Sequence, residues 1–384
     1  MKIASVEPLF VGRFLYVRIT TESGLVGIGE SGAWGHLEAS ATSIEKFGEY
    51  LKGKDARQIE HHWNVMLRAS HFIGAAISGA VSAIDIALWD LKGKHLGVPI
   101  YELLGGSMRH KARLYAHVKG RTIDDQVAHV RALRAAGFTA VGHLNPLLDE
   151  SISEPYFKAH ARKMADAIDN VRLLREAAGP DVDLCIEIHR RLTVPEAVTL
   201  ARGIEPFHPM FFEDPLPPEN PDAMAWLADR IPIPIATGER FINLQQFQTL
   251  LARRGVQYLR PCICLCGGIT GGRKIAALAE AHDAQIVPHN PLSPVSLAAC
   301  LQLGAAIPNL AIQEYPSASP NAQGKAVLPA HDVVTGLDIP ENGFIKIPDG
   351  PGLGITLVPG AEHRERITRP IQMRPHLDGS VVDQ

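Results

Sequence analysis

No stretch of the 384 residues stays apolar for the roughly 20 positions that a membrane-spanning helix needs. A basic segment followed by a long apolar run is also missing from the start, where MKIASVEPLF passes almost at once into a strand-like pattern. Neither membrane association nor export is expected, and a cytoplasmic location is. An excess of positive charge is missing too. The formal net charge is -3, which gives no electrostatic case for nucleic acid as a partner. Low-complexity segments and charged linkers are equally absent.

Cysteine is scarce, and the five that exist, Cys185, Cys262, Cys264, Cys266 and Cys300, are odd in number and sit in apolar segments. That usage suits reduced thiols better than a disulfide framework. The stretch CICLC has a period of two that could aim three thiols at one metal. Structural zinc sites space paired cysteines by two to four residues and need a fourth ligand, so strand and loop packing is the preferred reading.

What is present is a composition of 46% hydrophobic and 21% charged residues, that of an ordinary soluble globular protein. The length allows two or three domains unless one large barrel absorbs most of it. Residues 1–110 read as a first unit, strands before helices, with PLFVGRFLYVRIT and LVGIGE as strands and a clear helix near Ile77–His95. Gly97 and Pro99 stop that helix, and Gly105 and Gly106 mark the boundary.

After Lys111 short apolar runs recur between helical stretches: ARLYAHV, FTAVGHL, VDLCIEI, HPMFFED, IPIATGE, QYLRPC, AQIVPH and NLAIQE. Their polar ends fall at Glu187, Glu213 and Glu239, each 26 residues apart, then at His289 and Glu314. One strand, one helix and two loops take about that length, because parallel strands require a crossover. Eight such units predict an α/β fold of the (β/α)₈ type, whose active site is built at the carboxyl ends of the strands.

A lone acidic residue at a strand end is usually a helix cap or a surface charge. Three in register on successive strands reverse that preference. Glu187, Glu213 and Glu239 would repel strongly unless a cation sat among them, and a hard divalent ion, Mg²⁺, fits oxygen ligands best. Strand alternation puts His189 on the same side as Glu187. His289 in VPHNP faces the same mouth, although a lone histidine is more often structural. GGITGG could cradle a phosphate at a helix N-terminus or be only a tight turn.

The segments SAIDIALWDLKGKHLGVPIYELLGG, FFEDPLPPEN, IPIATGE, GGITGGRKIAALAEAHD, VPHNPLSPVSLAACLQ, IQEY and PGLGI cover nearly the whole chain. Together they resemble the mandelate racemase branch of the enolase superfamily, nearest to acid-sugar dehydratases of the galactonate type, with mannonate-type features such as HRRLT. The resemblance implies a modified TIM barrel, (β/α)₇β, under an α+β capping domain. Its boundaries would be 1–110 for the cap, 111–320 for the barrel and 321–384 for a segment returning to the cap. It also implies one Mg²⁺ held by Glu187, Glu213 and Glu239, an acid-sugar substrate and a homo-oligomer.

By resemblance, His189 is the general acid for the departing hydroxyl, His289 the base beside the substrate carboxylate, and Glu314 a substrate-binding group at the eighth strand. Asn145 and Arg191 are expected to contact substrate as well. The sequence departs from the family pattern at three places. Glu187 stands where aspartate is usual, and Cys262 stands where galactonate-type members pair an aspartate with the seventh-strand histidine. VGHLNP, with His143 and Asn145, replaces the lysine-bearing second strand of the racemases. His143 and Tyr156 are therefore alternative bases. Cap segments such as FVGRF and those around His36 and His71 are expected to set substrate choice.

Three readings follow. The first is a Mg²⁺-dependent dehydratase that turns an aldonic or aldaric acid into a 2-keto-3-deoxy acid through an enediolate. The second is an isomerase or cycloisomerase using the same enediolate, and the third a catalytically silent relative that binds metal or an acid sugar.

Overall fold

A computed structural model describes residues 1–148, 155, 157–317, 325–371 and 374–382. The chain opens with an antiparallel meander of β1 (Ile3–Val11), β2 (Phe14–Thr21) and β3 (Val26–Ser31). Four helices follow: α1 (Leu37–Leu51), α2 (Ile59–Ala69), α3 (Ala75–Leu96) and the single turn α4 (Ile100–Leu103). Every residue of α3 from Ser78 to Leu91 is buried, because this helix has no polar face and lies between the meander and the rest of the molecule. Contact is close enough that a Cβ at Gly27 or Gly29 of β3 would run into the α3 carbonyls of Ala87 and Ala83. Gly97, left-handed at φ 73°, caps the helix, and Pro99 follows it.

From Lys111 strands and helices alternate. They are β4 (Lys111–His117), α5 (Ile123–Ala135), β5 (Ala140–Leu144), α6 (His160–Ala178), β6 (Asp183–Glu187), α7 (Val194–Ile204), β7 (Phe211–Glu213) and α8 (Pro221–Ala228). After them come β8 (Ile235–Thr237), α9 (Leu244–Ala252), β9 (Tyr258–Leu259), α10 (Gly268–Glu280), β10 (Gln285–Ile286), α11 (Pro294–Ala306) and β11 (Gln313–Tyr315). Sequential strands from β4 to β10 pair in parallel, and β11 returns to pair with β4. A parallel bridge between Ile286 and Leu310 closes the ring. Eight strands with seven intervening helices make a (β/α)₇β barrel, a modified TIM barrel beneath an α+β cap.

The C-terminal segment carries β12 (Val334–Thr335), β13 (Phe344–Lys346) and β14 (Thr356–Leu357), with β13 antiparallel to the first residues of β4. It then reaches the cap, where the Ile367 N–H donates to the Gly12 carbonyl at 2.9 Å. A short pair of strands, β15 (Arg374–Pro375) and β16 (Val381–Val382), ends the described chain. Among the described residues no helix is long and apolar enough to cross a membrane.

Candidate active site

Inside the barrel Tyr115, Ala140, Cys185, Phe211, Ala236, Val287 and Ile312 pack with Tyr258 into an apolar layer separate from the main core. Side chains alternate along a strand, so two residues on lies the next layer toward the carboxyl ends. Taken strand by strand, that layer reads His117, Gly142, Glu187, Glu213, Gly238, Arg260, His289 and Glu314. The two glycines leave room for their neighbours: a Cβ at Gly142 would meet the Tyr115 ring. An ionisable ring therefore rests on an apolar plug. Left-handed backbone at His143 (φ 54°), His189 (φ 52°), Arg190 (φ 66°) and Asp214 (φ 40°) marks the mouth, the kind of strain that surrounding structure must hold in place. At His143 the β5–β6 pairing shifts register, which turns the imidazole toward the mouth.

Glu187, Glu213 and Glu239 each present a carboxylate oxygen, all within 4.8 Å of one another. Glu187 accepts from His143 Nδ1 at 2.6 Å and from His189 Nε2 at 2.7 Å. Glu213 accepts from Arg260 Nε, and Glu239 from Arg190 Nη1 at 2.7 Å and His289 Nε2 at 3.2 Å. These partners divide the trio. Burial favours the neutral acid in all three, but the charges of His189 and His143 hold Glu187 well below the usual carboxylate range, and His289 holds Glu239 at about 2. At Glu213 burial wins over Arg260, with Glu187 and Glu314 adding repulsion, and the carboxyl is pushed well up. An under-compensated carboxylate in an all-oxygen cluster is what a hard divalent ion satisfies, so the residues present fit such an ion. A second candidate group, His143, Glu187 and His189, shares Glu187 and adds nitrogen donors. Cys262, Cys264 and Cys266 of CICLC are buried in the main core.

The other residues singled out from the sequence take varied places. His289 lines the mouth, and burial, which would lower its pKa, is outweighed by the Glu239 charge, so the imidazole is held well above its usual value. Beside it the Cys262 thiol offers only a weak hydrogen bond, and the two residues pair through a backbone bridge. Glu314 accepts from His117 Nε2 and Arg260 Nη2, both at 2.7 Å, and from the Asn290 N–H at 2.6 Å. Arg191, His143 and His36 line the cavity. Asn145 and His71 do not line it; Asn145 is buried and turned onto its own loop, accepting from the Leu147 N–H at 3.0 Å. Tyr156 lies outside the described residues.

Three groups escaped the sequence reading. Arg260, 1% exposed, bridges Glu213, Glu314 and the Tyr115 hydroxyl. His117 stacks on His143 with ring centroids 4.6 Å apart and planes 5° from parallel. Arg190 ties Asp214 to Glu239. The signal was available: a cation inside the apolar run QYLRPC has no reason to be there unless it is paired, and the period-of-two rule applied to every strand finds both Arg260 and His117.

The cap completes the site. The Gly32 N–H donates to the Cys264 carbonyl at 2.7 Å, bringing Trp34 and His36 over a cavity of about 880 Å³. The glycine-rich GGITGG turn is not a phosphate cradle. The Asp85 carboxylate of α3 accepts the Thr270 N–H at 3.0 Å there, and a Cβ at Gly268 would collide with it. This carboxyl group, pushed up to about 7 by burial, fastens cap to barrel at the start of α10.

Comparison with known proteins agrees with this architecture. The model for the mandelate racemase / muconate lactonizing enzyme N-terminal domain matches residues 4–105, and that for the enolase C-terminal domain-like family matches residues 147–361. D-galactonate dehydratase of Ralstonia nicotianae is 35% identical over 375 residues, 97% of this chain and 96% of its own. The Variovorax paradoxus enzyme of that name is 35% identical with both chains fully covered. Among solved structures, an enolase from Agrobacterium radiobacter, provisionally a galactarate dehydratase and bound to sodium and L-malate, superposes with a TM-score of 0.90 at 29% identity over the whole of both chains. A cap of this topology over a barrel with this carboxylate trio, matched along nearly its full length, belongs to the mandelate racemase / muconate lactonizing enzyme family of the enolase superfamily.

Proposed function

We propose that this enolase-superfamily member, a dehydratase like the relatives it resembles, acts with Mg²⁺ on an aldonic or aldaric acid and releases a 2-keto-3-deoxy acid. The observation that carries the reading is the Glu187, Glu213 and Glu239 trio, whose oxygens converge within 4.8 Å at the barrel mouth. A proton beside a carboxylate is weakly acidic, and its removal needs the enediolate stabilised; enolase-superfamily sites meet that need with a Lys or His base and Mg²⁺. When bound, Mg²⁺ would supply that charge sink.

The chain's own groups do the rest. His289 takes the proton beside the substrate carboxylate. Glu239 raises its basicity in this structure, and sharing the Glu239 charge with a divalent ion would bring the imidazole back toward the neutral form a base requires. His189, held by Glu187 through Nε2, donates to the departing hydroxyl. Glu314, anchored by Arg260, His117 and the Asn290 N–H and held ionised by them, accepts from a hydroxyl of the substrate. Incubation with a panel of aldonic and aldaric acids plus Mg²⁺, read by semicarbazone absorbance, tests this. Activity should be lost in Glu213→Gln and His189→Asn, and unchanged rates there would overturn the assigned roles.

Isomerisation through the same enediolate is a second reading, motivated by the additional imidazole of His143, 4.8 Å from that of His189. It predicts deuterium uptake beside the carboxylate with no 2-keto acid.

A further inference from the structure

Charge is unevenly spread over the cavity. Its three lining carboxylates, Glu187, Glu239 and Glu314, belong to the barrel floor, and each already takes part in an ion pair. The rim contributed by the C-terminal segment brings two cations, Arg369 and Arg374, together with Pro370 and Ile371. Arg366, three residues before Arg369, is neutralised by Glu38. Arg369 has no acidic partner among the described residues.

Its guanidinium lies 4.2 Å from the centroid of Trp34, and the guanidinium of Arg13 lies 5.4 Å from the same ring. Two like charges thus share one indole. Burial lowers the pKa of Arg369, and repulsion from Arg13 lowers it further. The acid that faces Arg13 is Glu30, whose Oε2 accepts from Ser293 Oγ and the Ser296 N–H. Burial holds Glu30 at about 8, so near neutral pH it gives Arg13 little charge. The cap and tail therefore place uncompensated positive charge on a cavity whose floor is already arranged for one substrate carboxylate.

We propose that Arg369, stacked on Trp34, receives the distal carboxylate of a diacid, so that the preferred substrates are aldaric rather than aldonic acids. This rests on the dehydratase reading of the floor and departs from the D-galactonate for which the 35% identical relatives are named. A guanidinium offers a planar fork that matches a carboxylate with two parallel hydrogen bonds, and the indole beneath fixes its plane. A hydroxymethyl end would leave that cation uncompensated in a partly desolvated cavity, which makes the discrimination electrostatic.

The experiment uses the full-length protein with Mg²⁺ and matched hexaric and hexonic acids that differ only at C6, in several stereochemical series. The wild type should favour the diacid of a pair in kcat/KM. Arg369→Ala should lower that preference on the order of tenfold or more, chiefly through KM, the scale of one lost charge-assisted contact. Arg369→Lys should restore part of it, and Trp34→Leu should shift it the same way as Arg369→Ala. An unchanged preference in Arg369→Ala overturns the assignment. If the wild type turns over neither acid, the dehydratase reading fails, and calorimetric titration of the same pairs decides the present one. A loss of affinity in Arg369→Ala confined to the diacid supports it, and equal affinities of wild type and variant for the diacid overturn it.

Discussion

Arg260 and Glu213, each 1% exposed, form an ion pair at the centre of the barrel mouth, and the same guanidinium reaches Glu314 at 2.7 Å. One buried cation thus compensates two carboxylates from opposite sides of the ring. Replacing it by an apolar side chain leaves both without their main partner. Arg260→Met should cost roughly 3–5 kcal/mol, the scale for breaking a buried pair from one side. Urea denaturation of the metal-free protein checks this, and a loss under about 1 kcal/mol would show that Glu213 and Glu314 find other compensation.

Glu213 is the least compensated of the trio, so the ion should stabilise the fold as well as serve the chemistry. Titrating Mg²⁺ into metal-free protein should raise Tm progressively, with a gain of about 2.7 kcal/mol at a hundred times Kd. The rise should vanish or need far more Mg²⁺ in Glu213→Gln and Glu239→Gln. A concentration-independent Tm would argue against a metal at this place.

Glu30 joins cap to barrel by accepting the Ser293 hydroxyl and the Ser296 N–H at the start of α11, and burial raises its pKa to about 8. The folded state then binds a proton that the unfolded chain releases near pH 4–5. Stability contributed by this group is full below that pH and is lost as pH climbs toward 8, by at most about 1.4 kcal/mol per unit. Glu30→Gln removes the titration. Relative to wild type, the variant should gain Tm steadily between pH 5 and 8, and a constant difference would contradict the assignment.

Gly268 has φ 71° and lies against the Asp85 carboxylate, whereas Gly24, at φ 82°, has nothing within 4 Å of where a Cβ would stand. Gly24→Ala should cost about 1 kcal/mol, from backbone conformation alone. Gly268→Ala adds a collision at the cap–barrel joint and should cost at least twice as much. Equal losses in thermal unfolding would mean that α3 and α10 can separate to make room.

The His289 imidazole has only the weak hydrogen bond of the Cys262 thiol on the side away from Glu239. A carboxylate there would fix the tautomer and strengthen the base. Cys262→Asp should raise kcat/KM severalfold in steady-state assays and shift the acidic limb of the pH profile upward, since a base must be deprotonated to act. Lower activity with an intact fold would place the proton transfer elsewhere, His143 being the next candidate.

Much of the site was legible because strand periodicity is local. The 26-residue recurrence of Glu187, Glu213 and Glu239 follows from the length of a strand–helix unit, whereas His189 lies past the end of its strand on a left-handed turn at φ 52°, so that turn and not alternation brings it to Glu187. GGITGG was ambiguous for a physical reason: a glycine turn before a helix suits a bound anion equally whether the anion is a phosphate or, as here, the carboxylate of Asp85.

The sequence by itself determined the alternation of strands and helices, the barrel they close into and the three carboxylates at its mouth, since each depends on spacing along one chain. Only the tertiary structure decided that Arg260 bridges Glu213 to Glu314 and that Arg369 comes to rest on Trp34. Those pairs are 47, 54 and 335 residues apart. Charge compensation in a low-dielectric interior depends on distance in space, and no periodicity along the chain records which distant cation will be nearest.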